Sequence, residues 1–251
     1  MGILMQNEKT KSVPGMGVRK LTLSDQLPAC EIVINASIYD LREICIGKNV
    51  FDIGCGYGTN RKIVESVGGK WTGVEPFEGG AHTVVADAEN LPFENNTYDV
   101  AIMDAVLEHI PDVAKAISEV ARVLKPEGLF IGYVAFMECF HEISYSHLSF
   151  KALEHYSKIN GMDLIKIGGG KRFGIDYHKM VLFYPLPVKW LRPIRASSIR
   201  GIMYLKSRIA YLGLRIKRKL SHVEANKMAL QYFQLECLRQ SVGFSYIIRK
   251  R

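Results

Sequence analysis

The sequence has no Cys-x-x-Cys pair, and its five cysteines, Cys30, Cys45, Cys55, Cys139 and Cys237, are scattered over 251 residues. That scatter argues against a structural zinc site and a disulfide framework, both of which need thiols at close or paired spacings. Reduced thiols and no metal are expected. An apolar run long enough for a secretory signal or a bilayer span is also missing, and the stretch Val181 to Trp190 is short and broken by Pro185 and Pro187. The expected location is cytoplasmic, at most peripheral to the inner face of the membrane. There is no internal repeat and no low-complexity tract.

Acid is missing from one long segment. Between Asp176 and Glu224 there is no Asp or Glu, while 11 of the 33 lysines and arginines fall there, leaving 22 against 25 acids elsewhere. The net charge of +8 is therefore a mildly acidic body carrying one basic segment.

What is present is a repeating alternation of short apolar runs and helical stretches from Asn49 onward. Such a pattern predicts an α/β fold, Rossmann-like and doubly wound, with a mostly parallel sheet covered by helices on both faces. Strands are expected at Val50–Ile53, Lys70–Glu75, Thr83–Ala86, Tyr98–Met103, Leu129–Ala135 and Leu164–Ile167. A seventh, Phe244–Ile248, is expected to pair antiparallel with the sixth. Helices are expected over 59–67, over 113–124 with Ala116, Ile117, Val120 and Leu124 on one face, and over 149–160, capped by Ser149 and stopped by Gly161. Ser24 to Cys45 also reads as a helix, with Ile32, Ala36, Tyr39 and Ile44 near helical spacing, placed to cover the ligand edge. The chain thus divides into a lead and covering helix (1–47), a core (48–169 and 241–251) and a basic helical insert (170–240).

Asp52-Ile53-Gly54-Cys55-Gly56-Tyr57-Gly58 follows the first core strand and precedes a helix. Glycines there let the backbone approach a ligand and present N–H groups at the helix start. Position 59 is threonine, so the dinucleotide pattern G-x-G-x-x-G is not met. Glu75 ends the next strand, where a carboxylate can accept from both hydroxyls of a ribose. Asp87 follows the strand after that. Acids at the carboxyl ends of successive strands outline the crevice in which open α/β sheets bind ligands.

VFDIGCGYG, GVEP, ADAENLPFENNTYDVAIMDAVLEHI and EVARVLKPEGLFIGYV, in that order, resemble the class I S-adenosylmethionine-dependent methyltransferases of the type 11, ubiquinone/menaquinone-methylase-like family. The resemblance covers about Val50 to Val134. It implies S-adenosyl-L-methionine as cofactor, with Asp52, Gly54, Cys55, Gly56 and Gly58 around its methionine part and Glu75 on its ribose. It further implies Asp87 and Ala88 on the adenine, and Asp104, Ala105 and Leu107 along the floor. One departure is the link from Pro76 to His82, shorter than a helical crossover needs. The usual helix there is expected to be absent or a single turn, with the adenine side more open.

Methyl transfer from a sulfonium is an in-line displacement needing an oriented nucleophile and excluded water. A hydroxyl acceptor gains from a general base, and histidine suits neutral pH. His147, then His141, then His109 are the candidates. After the fourth core strand the chain has Asp104-Ala105-Val106-Leu107 rather than the Asn/Asp-Pro-Pro-aromatic segment with which related enzymes hold a planar amine. The expected acceptor is therefore an oxygen or carbon of a small molecule, sugar- or lipid-linked molecule.

In the basic insert, Ile199, Ile202, Met203, Ile209, Leu212, Ile216 and Leu220 recur at helical spacing, with Arg200, Arg208, Arg215 and Arg218 opposite and Tyr204 and Tyr211 on the basic side. The segment 180–220 can cover the acceptor pocket, rest on an anionic membrane surface, or contact nucleic-acid phosphates. Nucleic acid is the least favoured, because no RNA-binding module is recognisable. An RNA methyltransferase and a non-catalytic membrane-surface protein are the alternative functions.

Overall fold

A computed structural model describes residues 28–34, 37–137, 143–169 and 192–251. The lead before Pro28, His141 and the run 181–190 lie outside the described residues. In chain order the elements are β1 (Glu31–Val33), α1 (Leu41–Ile44), β2 (Asn49–Ile53), α2 (Arg61–Ser66), β3 (Lys70–Glu75), β4 (Val84–Val85), β5 (Tyr98–Asp104), a 3-10 turn (Leu107–His109) and α3 (Val113–Val123). There follow β6 (Leu124–Ala135), α4 (Phe150–Ile159), β7 (Met162–Gly169), α5 (Arg192–Lys217), α6 (His222–Arg239) and β8 (Gly243–Lys250).

The strands form one sheet in the order β1-β7-β8-β6-β5-β2-β3-β4, parallel except for β8, which runs antiparallel to both β6 and β7. Alternate residues of each central strand serve opposite layers. Phe51, Ala101, Met103 and Phe130 pack into one cluster with Ala116, Ile117 and Val120 of α3, and Val50, Val100, Ile102 and Ile131 into the other with Cys45, Val64 and Trp71. Each large apolar side chain buried this way contributes about 1.5–3 kcal/mol. Asp112 and Ser149 cap α3 and α4 by accepting from the backbone N–H of Lys115 and Ala152. Gly161 ends α4 in the left-handed region at φ +72.

Two expectations are corrected. Among the described residues the sheet has eight strands, because Glu31–Val33 is an edge strand rather than part of a helix, and of the described part of the expected covering helix only Leu41–Ile44 is helical. Ile32 and Val33 are β-branched and find a parallel partner in β7, Ile32 opposite Ile167. The side-chain amide of Gln234 on α6 donates to the Ile32 carbonyl at 3.2 Å, occupying one of the polar groups of that edge.

The two described helices of the insert pack on each other. Met203 on α5 and Cys237 on α6 are buried together against Ile34 and Phe233. The turn between the helices is closed by a capping box in which Ser221 and Glu224 satisfy each other's backbone N–H groups. The apolar stripe read from the sequence is split: Ile209 is 62% exposed and Ile216 73%, while Met203 joins Ser207 and Leu214 on the buried face.

Candidate cofactor and acceptor site

The loop from Gly54 to Gly58 turns the chain from β2 toward α2, and all three glycines take positive φ, between 52 and 71 degrees. They are not equivalent. A Cβ on Gly54 would stand 2.4 Å from Val106 Cγ2, and one on Gly58 would stand 2.9 Å from Ala81 Cβ, whereas one on Gly56 would meet nothing within 4 Å. The outer glycines let the loop fit the protein, and Gly56 leaves an open face toward the carboxyl edge of the sheet. The Gly56 N–H donates to the Glu75 carboxylate. The short link after β3 contains no helix and folds back onto the loop, the Ala81 N–H donating to the Gly56 carbonyl at 2.9 Å.

Asp52 is 2% exposed and accepts from Trp71 Nε1 at 3.1 Å and Asn60 Nδ2 at 3.2 Å. Burial pushes its carboxyl up to about 6, with the nearby Asp104 and Glu75 carboxylates adding to the rise against those two hydrogen bonds. Burial also raises the phenol of Tyr39, and Asp104 and Asp52 add to it. Tyr246, wholly buried, donates to the Met103 carbonyl at 3.3 Å, and its phenol is raised first by burial and then by Tyr39, Glu108 and Asp104. Three acids and two tyrosines thus converge at the carboxyl ends of β2, β3 and β5.

Sequence reasoning missed Tyr39 and Tyr246 here. Tyr39 arrives from the lead, and Tyr246 through the β6–β8 register that sets it opposite Gly132. Asn60 and Trp71 were missed as well, and their polar side chains beside an acid-bearing strand were the available signal.

Asp104 and Ala105 are exposed at the end of β5, and Leu107 is fully buried beneath them. Ala105 holds φ +60, a conformation unfavourable for a non-glycine residue and met mostly where function over-determines the backbone. Its N–H donates to the Tyr133 carbonyl at 2.9 Å. Asp87 is exposed and accepts from the Glu89 N–H at 2.8 Å, and Ala88 beside it is buried. Burial pushes the Cys55 thiol up to about 11, which makes it a poor nucleophile.

His109 closes the turn after β5, and its Nδ1–H donates to the Ile143 carbonyl. The Tyr145 N–H donates to the Glu108 carbonyl at 2.8 Å, so the segment carrying His147 is tied to the same turn. His109 and His147 are both exposed. Among the described residues no cluster of His, Cys, Asp and Glu is arranged to hold a metal ion.

A doubly wound sheet, an open glycine loop and acids on successive strands define a domain for a nucleotide-derived cofactor. Comparison with known proteins narrows that class. Residues 51–132 match the methyltransferase-domain family, type 11. A sterol 4-C-methyltransferase of Caenorhabditis elegans is 33% identical over 116 residues, 40% of this chain and 35% of that protein. An uncharacterised methyltransferase of Mycobacterium sp. (strain JLS) is 28% identical over 147 residues, 53% of this chain and 58% of that protein. A solved structure from Galdieria sulphuraria, provisionally assigned as a sarcosine dimethylglycine methyltransferase, superposes with a TM-score of 0.50 at 16% identity, covering 84% of this chain and 81% of that one. That likeness is one of fold. The aligned segment spans less than two thirds of either curated relative. Residues 51–132 thus carry a methyltransferase domain of the type 11 family, a class I S-adenosylmethionine-dependent type, on a fold of the same kind.

Proposed function

We propose that the protein transfers a methyl group from S-adenosylmethionine to an oxygen or carbon of a small-molecule, sugar- or lipid-linked acceptor. The observation that carries this reading is the open Gly56 position, bonded through its N–H to Glu75, which in turn interacts with Asp52 beside Asp104. The donor set fits the cofactor: carboxylates suit a ligand that carries ribose hydroxyls, an ammonium and a sulfonium, and backbone N–H groups at a glycine loop suit its carboxylate.

When bound, the cofactor supplies an electrophilic methyl on a cationic sulfur. The chain's part is to hold both reactants in line and to exclude water. Glu75, which now accepts from the Gly56 N–H, would accept from the ribose hydroxyls, and Asp87 and Ala88 would lie at the adenine. The acids of the rim favour the cationic donor over its neutral thioether product, which promotes product release. For a hydroxyl acceptor, His109 takes the proton: its Nδ1–H is committed to the Ile143 carbonyl, which leaves the neutral ring's lone pair on Nε2. The relative that methylates a sterol carbon, by its name, favours a lipid acceptor among those considered.

Calorimetric titration with S-adenosylhomocysteine tests the cofactor part. Binding in the micromolar range is expected, and Gly56→Arg, which fills the open face, is expected to abolish it. Absence of heat from the folded wild-type chain would overturn the reading.

A further inference from the structure

Helix α5 presents two apolar faces, of which only one packs against other described residues. Met203, Ser207 and Leu214 are buried, Met203 against α6. On the opposite side Ile202, Leu205, Ile209, Leu212 and Ile216 follow one another at alternating steps of three and four residues, and all five lie in solvent, at 55, 61, 62, 55 and 73% exposure. Five large apolar side chains in one exposed row are far from the scattered single residues of an ordinary surface.

The flanks of this ridge identify its partner. At about 100° per residue, Lys206 and Lys217 border it on one side and Arg208 and Arg215 on the other. The helix from Arg192 to Lys217 contains no acid. Among the described residues, Lys206 has Glu236 at 3.9 Å, while Arg208, Arg215 and Lys217 have no carboxylate within ion-pair distance. Arg208 is also braced between the rings of Tyr204 and Tyr211, at 5.2 and 5.3 Å.

We infer that this face of α5 docks on the surface of an anionic lipid bilayer. The apolar ridge enters the boundary between headgroups and acyl chains, and the exposed Lys206 and Lys217 on one flank and Arg215 on the other reach the lipid phosphates, while Arg208 is turned inward to Asn226 of α6 at 3.0 Å. The step pattern equally resembles a helix-helix seam, but a second copy of α5 would set bases against bases in either orientation, without an acid to relieve them. Lipid phosphates are complementary to both flanks at once. No described helix is long and apolar enough to cross a membrane, so α5 lies along the surface. This inference is independent of the methyl acceptor.

Flotation of the full chain with vesicles of phosphatidylcholine alone, and of phosphatidylcholine with about one third phosphatidylglycerol, tests it. Binding is expected to the anionic vesicles, to weaken in high salt, and to fall roughly tenfold or more in Ile209→Ser/Leu212→Ser. Because both residues are exposed, the variant is expected to keep the wild-type circular dichroism and melting temperature, which separates loss of docking from loss of fold. Equal binding by wild type and variant, or no binding to anionic vesicles, would overturn the inference. So would a wild-type dimer in sedimentation velocity that the same variant dissolves, or salt-steep binding of bulk transfer RNA by a protein that ignores vesicles.

Discussion

At the carboxyl edge of the sheet, burial, with the nearby Asp104 and Glu75 carboxylates, moves the Asp52 carboxyl up to about 6. On the outer face of α5, bases border a row of apolar side chains left in water. The first region is costly to the protein alone because the Asp52 charge is desolvated beside two other carboxylates. The second is costly because its apolar surface is hydrated. Each becomes favourable when its complement arrives, a cation in the first and an anionic interface in the second. Sites that oppose folding in isolation are where function is to be sought in a fold whose core is otherwise consistent.

Four changes would break or sharpen this contrast. The largest effect is expected from Glu75→Ala, which removes the carboxylate facing the glycine loop. Affinity for S-adenosylhomocysteine should fall about a hundredfold by calorimetry, with the melting temperature little changed, since Glu75 is partly exposed.

Asp52→Asn should separate ligand binding from stability. Its folded carboxyl, near 6, lies above the ordinary 3.8, so its stabilising contribution is complete below about pH 4 and lost as pH rises through 6. At pH 7.5 the amide should make the ligand-free protein more stable by up to about 3 kcal/mol, because it retains an oxygen to accept from Trp71 and Asn60. Urea melts should show that gain shrinking toward pH 5, and a gain independent of pH would refute the electrostatic cause. Cofactor affinity should fall in the same variant.

Met203→Ala empties the buried face of α5 and should destabilise by about 2–3 kcal/mol. Leu212→Ser, on the exposed ridge, should change stability by less than about 0.5 kcal/mol in the same melts. Equal losses would mean that the ridge is packed rather than offered.

The elements from β2 to β7 were legible because their signals are local. The period of α3, the Ser149 cap and Gly161 each decide their own neighbourhood, and Lys70–Glu75 is a strand over the same residues in sequence and structure. Strand β1 was not legible, since three residues near helical spacing carry little pattern and their partner, β7, lies over a hundred residues away. Helix α6 was not delimited, although Ser221-x-x-Glu224 marked its start. Within the site, the glycines and Glu75 announced themselves by position. Tyr39 and Tyr246 did not, because pairing of remote strands, rather than any motif, brings them beside Asp104. The role of the α5 faces was left open for a related reason: periodicity locates an apolar stripe without saying whether it meets protein or solvent.

Equilibrium dialysis with methyl-labelled S-adenosylmethionine at pH 7.5 and 5.5 tests the acidic edge most directly. One site per chain should be filled at the higher pH, with roughly fourfold weaker retention at the lower as Asp52 gains its proton. No retention at pH 7.5, or retention equally strong at pH 5.5, would contradict the account.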